Sequence, residues 1–167
     1  MPFTPFHLGP AATIGFPLRK YFDVVTLLIA SVIVDLEPLA VIMFNLNYPL
    51  HGFFHTFIGG SIMAIVLSII IYRWNWFFQE IAKIFRISQD SSFRKIIFTS
   101  FVGVYSHILL DAPLYTDIRP FYPVMVNPLY GIVSASTIYM FCEITILTGL
   151  LLYIITITSF PAVHEDV

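Results

Sequence analysis

Hydrophobic positions in this chain come in runs of about 20 residues rather than in short alternations, a length that matches the hydrocarbon thickness of a bilayer. Five such stretches can be drawn, at 3–18, 22–44, 52–72, 96–115 and 131–160. The last four predict transmembrane helices. The first is too short to span comfortably and has Pro2, Pro5, Pro10 and Pro17 in or beside it. It predicts a re-entrant or half helix whose backbone must line protein or a cavity. Between the third and fourth stretches lies WNWFFQEIAKIF, whose aromatic and aliphatic residues, with Lys83 and Arg86, predict an interfacial helix that anchors the loop 73–95. The fold class is therefore an all-α, polytopic membrane bundle with about four spans. No linker or repeat divides 1–167 into more than one domain.

Composition sharpens this picture. The 167 residues are 58% hydrophobic and 11% charged, against roughly 25% charged in soluble domains. A net charge of −2 without a basic run excludes a nucleic-acid partner. The single Cys142 excludes a disulfide framework or a paired-thiolate zinc site. The opening MPFTPFHLGP lacks the positive leader and cleavage site of a signal peptide, so His7 is expected to stay in the mature chain.

Basic residues set the expected orientation. Arg19 and Lys20 precede the second stretch, and Arg73, Lys83, Arg86, Arg94 and Lys95 surround the loop 73–95. Both belong in the cytoplasm, as does the HEDV tail. The links 45–50 and 116–130 then lie outside, in a plasma or inner membrane.

Each ionisable side chain within a span costs about 2.5 to 3.5 kcal/mol on insertion scales and needs an explanation. In this chain they cluster. SVIVDLEP holds Asp35 and Glu37, HGFFHT holds His51 and His55, YSHILLDAP holds His107 and Asp111, and His7 lies in the first stretch. Residues four apart share one helix face, so His51 with His55, and His107 with Asp111, each predict two ligands for one ion. Imidazole with carboxylate suits zinc, manganese or iron. Asp35 and Glu37, two apart, do not share a face unless Pro38 distorts the helix. At a rise of about 1.5 Å per residue the helical candidates all fall within roughly 15 Å of the outer boundary. Glu143 comes out deeper, at roughly 18 Å, as a partner to a ligand at most. In the outer loop, Arg119 is a candidate clamp for a phosphate or carboxylate. Asp117 and Asn127 are weaker supporting candidates.

At these residues the sequence resembles the YdjM-like family of inner-membrane metal-dependent hydrolases. The resemblance rests on an early His (His7 in PFHLG), an Asp-x-Asp-like pair (Asp35, Glu37), a His-Gly motif (His51, His55) and Ser-His-x-x-x-Asp (His107, Asp111), in the family's order. HGFFHT lacks the family's Arg and shortens its spacing, and Glu37 stands where the family has Asp. The resemblance implies hydrolysis at a divalent metal.

The expected function is a hydrolase that uses one or two zinc or manganese ions to activate water against a lipid phosphoester or ester at the outer surface. A surplus carboxylate, Glu37 or Asp111, would act as general base if it is not a ligand. The alternative is a transporter or a metal-binding membrane protein, since the same residue types make ion paths. A third reading is an assembly protein in which Gly59, Gly60 and Ser61 let helices approach closely.

Overall fold

The computed structural model describes residues 4–159, and among them every regular element is helical. The HEDV tail lies outside the described residues. A 3-10 turn, Thr4–His7, leads into α1, Leu8–Gly15. The second stretch is not one helix: α2 covers Val24–Ala30, a 3-10 turn covers Ile33–Asp35, and α3 covers Leu36–Met43. The break falls one turn before Pro38, not at it. Pro38 is the third residue of α3, in the first turn, where an N–H has no helical acceptor to lose. Another 3-10 turn, Phe53–His55, precedes α4, Phe57–Arg73. Next come α5, Asn75–Ile84, α6, Phe93–Asp111, and α7, Ala135–Ser159.

Val24–Met43, Phe93–Asp111 and Ala135–Ser159 are long and apolar enough to cross a membrane, and the bent pair α4–α5 makes a fourth candidate. The 81° bend turns α5 across the end of α4, as its amphipathic sequence predicts. The outward faces carry large apolar side chains such as Ile144, Leu147 and Leu151 of α7. These features fit a multi-pass membrane protein.

Small residues decide how closely the helices pack. A Cβ on Gly9 of α1 would lie 2.6 Å from the Ile146 nitrogen, and one on Gly149 of α7 would lie 2.7 Å from the Ala12 Cβ, so α1 and α7 touch along a reciprocal seam. Gly103 of α6 meets Ala30 of α2 in the same way, and Gly60 of α4 meets Ile108 and Val104 of α6. The first stretch is thus a half helix held between α7 and α2. The apolar core of Ala30, Val34, Ala64, Leu67, Val104 and Ile108 lies where α2, α4 and α6 meet.

At the end of the bundle formed by the start of α2, Asp23 is 2% exposed and fully bonded. It accepts from the Thr26 amide (2.8 Å), the Thr26 hydroxyl (2.6 Å) and the Ser91 hydroxyl (2.7 Å). These donors make a buried carboxylate tolerable and cap α2. Asp23 before an apolar run is a readable N-cap that no candidate site included.

The two glycine contacts on α6 should respond differently. At Gly103 a new Cβ meets the Ala30 Cβ and backbone, which cannot give, whereas at Gly60 it meets the ends of Ile108 and Val104. Gly103→Ala is expected to destabilise the fold by about 1 to 3 kcal/mol and Gly60→Ala by less, as read from thermal unfolding in detergent.

Candidate metal centre

Four side chains from three parts of the chain converge. Asp35 ends the 3-10 turn that interrupts the second stretch, His55 ends the turn before α4, and His107 and Asp111 stand one turn apart on α6. One ligand atom from each can be chosen so that all lie within 4.8 Å of one another. His107 Nε2 is 3.3 Å from Asp35 Oδ1 and 3.4 Å from Asp111 Oδ2, while His55 Nε2 is 3.9 Å from Asp35 Oδ1. His55 and His107 are wholly buried and Asp111 is 2% exposed.

Each imidazole is oriented from behind. His107 Nδ1 lies 2.8 Å from the Ser31 carbonyl oxygen, which can only accept. His55 Nδ1 lies 2.9 Å from Glu37 Oε2. Those partners assign a proton to Nδ1, so that in the neutral ring the lone pair sits on Nε2. The break after α2 supplies the first partner. The Asp35 amide bonds to Val32 in a 3-10 contact, so the Ser31 carbonyl is left for His107.

Glu37 belongs behind the centre rather than in it. Its two oxygens accept the Gly52 amide (3.0 Å), the Phe54 amide (3.1 Å) and His55 Nδ1, which fixes the turn that carries His55. This is the carboxylate–histidine arrangement that orients metal ligands. With those contacts made, Glu37 faces His55 and its turn rather than the other three residues of the cluster.

Two imidazole Nε2 atoms and two carboxylates therefore face one another, and neither Nε2 nor Asp111 Oδ1 makes an aligned hydrogen bond. Carboxylates and imidazoles gathered this closely out of water are stabilised by a cation between them. Two imidazoles with two carboxylates form a donor set suited to zinc, manganese or iron. The residues fit a divalent metal.

The remaining candidates fall around this group. His7, 2% exposed, stacks on His107 with ring centroids 4.0 Å apart and places Nε2 3.2 Å from Asp111 Oδ1, beside the four residues. His51 does not share a helix face with His55, because both precede α4: one is in the loop and the other in a 3-10 turn. Their rings nevertheless meet edge to face at 4.8 Å. His51 Nδ1 lies 3.0 Å from Asp117 Oδ1, and its ring stacks on Tyr115. Burial and then His55 push the His51 imidazole below its ordinary pKa. Burial opposes ionisation of Asp117, but the hydrogen bond and charge of His51 hold its carboxyl below the usual range.

The exposed Arg119 lines, with His51, Asp117, Tyr48 and Tyr122, a cavity of about 420 Å³ whose floor at His51 adjoins the centre. Its guanidinium donates to Met125 Sδ at 3.3 Å. Asn127 donates to the Ala112 and Tyr115 carbonyls at 2.7 and 3.2 Å, which ties the loop 116–130 to the end of α6. Glu143 does not reach the site. Cys142 and Thr145 take the buried face of α7, and helical periodicity turns Glu143 outward.

No family model, curated protein or solved structure matches this chain.

Removing a ligand should differ from removing its support. His55→Ala, His107→Ala and Asp111→Ala are each expected to drop metal content well below one equivalent per inserted chain. Glu37→Gln is expected to retain the site with about 10- to 100-fold weaker affinity. Elemental analysis after graded chelation separates the two outcomes.

Proposed function

We propose that this protein is a membrane-embedded, metal-dependent hydrolase of phosphoesters or esters at the outer membrane surface. The carrying observation is the close convergence of Asp35, His55, His107 and Asp111, their ligand atoms within 4.8 Å of one another, beside a cavity that contains Arg119. Zinc or manganese is the proposed ion. When bound, such an ion lowers the pKa of a coordinated water to about 7 and polarises the scissile group. The chain's own residues do the rest. Ser31 and Glu37 keep His107 and His55 in one tautomer, the apolar core below excludes water, and Arg119 offers a planar fork of donors to an anionic group. These features, with the resemblance of the sequence motifs to the YdjM-like family, support hydrolysis.

A transporter would need a polar route past the midplane. Asp23 supplies a buried carboxylate at the opposite end of α2, but between it and the centre the α2–α6 seam is closed by Leu27, Ala30 and Val104, each at most 1% exposed. The hydrolytic reading is preferred on that ground. The proposed orientation places the basic loop 73–95 in the cytoplasm. Single cysteines at the exposed positions Asp90 and Thr116 should then label from opposite sides, only Thr116 reacting with an impermeant reagent on intact cells.

The chemistry is tested with purified protein in lipid, supplied with zinc or manganese and offered phosphoester and carboxyl-ester substrates, with Asp111→Ala as the blank. Arg119→Ala should keep its metal yet raise KM for an anionic substrate by about tenfold or more, the scale of one lost charge-assisted hydrogen bond. Metal-replete protein that shows no turnover above the blank, yet moves ions across sealed vesicles, would replace the hydrolase with a transporter.

A further inference from the structure

A second cavity adjoins the polar one. It has a volume of about 440 Å³, lies between α3 and α4, and is lined by apolar side chains that include Leu36, Val41, Leu46, Phe54 and Met63. Each volume falls in the range of small-molecule sites, about 300–1,000 Å³. Tyr48 and Phe53 line both cavities, so the two share a wall. That wall is held in place: the Phe53 amide donates to the Tyr48 hydroxyl at 2.9 Å, and the Tyr48 ring fills the space that a Cβ on Gly52 would need. Glu37 also borders the apolar groove, but its oxygens are turned to His55 and to the Gly52 and Phe54 amides.

The two ends differ in charge as well as polarity. Among the described residues no carboxylate pairs with Arg119, and Asp117, its acidic neighbour in the cavity, is engaged by His51 through both oxygens. The polar end therefore favours an anion. The apolar end belongs to helices of candidate membrane spans, and Leu36, Leu39 and Ile42 beside it are at least half exposed, so the groove opens sideways where acyl chains lie.

We propose that the two cavities bind a single amphiphile, a lipid with a phosphate headgroup at Arg119 and an acyl chain in the α3–α4 groove. This rests on the hydrolase reading and names its substrate class. Phosphate is the anion that suits both a guanidinium fork and hydrolysis at a divalent metal. A chain held in the groove would fix the headgroup over His51, beside the centre, without leaving the bilayer. Tyr48 and Phe53 would then stand against the junction of head and chain.

The test uses the full chain in phosphatidylcholine vesicles containing phosphatidic acid with a diazirine in its acyl chain. Photolysis should label peptides from α3 and the 44–48 loop together with Met63, and unlabelled phosphatidic acid should compete while inorganic phosphate competes poorly. Ala40→Trp, which fills the groove, should keep its metal but reduce labelling and lower lipid turnover, relative to a soluble phosphomonoester, by about tenfold, the loss expected for two buried methylenes. Arg119→Ala should remove the preference for phosphatidic acid over phosphatidylcholine. Labelling spread evenly over the outer face of α7, and unchanged by Ala40→Trp, would overturn the groove as a chain site. Hydrolysis of the soluble ester with no preference for the lipid would overturn it while leaving the hydrolase intact. Specific groove labelling without turnover of any ester would uphold the lipid site and remove the hydrolase.

Discussion

The structure depends on one arrangement: two imidazoles, each tied through Nδ1 to an acceptor, turn their Nε2 atoms on two carboxylates in a buried space. A cation among these four groups would neutralise the two carboxylates, and burial removes the water that would otherwise screen them. The fold can be read as the device that enforces this. Interrupting the second stretch after Ala30 leaves the Ser31 carbonyl for His107 and swings Asp35 inward on a 3-10 turn. Ending α6 at Asp111 puts its carboxylate one turn above His107. Starting α4 only at Phe57 leaves His55 on a turn that Glu37 grips through two amides and the ring itself.

Helix packing beside the centre and at the far end holds these pieces in register. Gly103 lets α6 lie against Ala30, so that His107 reaches the Ser31 carbonyl one residue further along α2. Gly60 lets α4 lie against Ile108, which keeps His55 over the same site. Asp23, bonded to Thr26 and Ser91, closes the far end of the α2–α6 pair with a satisfied buried charge. Between the two polar layers the core is mainly apolar, which separates the capping carboxylate from those of the candidate centre.

Much of this was legible in the sequence, for identifiable reasons. Long apolar runs gave the helical membrane class, because only a bilayer rewards runs of that length. The prolines marked 3–18 as a half helix, and the i,i+4 spacing of His107 and Asp111 placed them on one face of a regular helix, where the spacing rule holds. The same rule gave the wrong cause for His51 and His55, whose proximity comes from a loop and a 3-10 turn. Pro38 was read as the distortion in the second stretch, but it sits in the first turn of α3, and the break one turn earlier has no residue signature of its own. Glu37 reads as a ligand or base because composition cannot show that its two oxygens already accept the Gly52 and Phe54 amides and face His55 Nδ1. Glu143 was unreadable for the opposite reason: an apolar helix without periodicity conceals which face is buried.

The account is tested most directly by X-ray absorption at the metal edge of protein purified without chelator. It predicts about one metal per chain in a shell of nitrogen and oxygen at roughly 2.0–2.2 Å, with outer-shell scattering from two imidazoles that falls to one in His107→Ala. A metal-free protein whose ring-nitrogen NMR shows His55 and His107 both doubly protonated would contradict it. In that case protons, rather than a metal ion, would hold the two carboxylates and two imidazoles together.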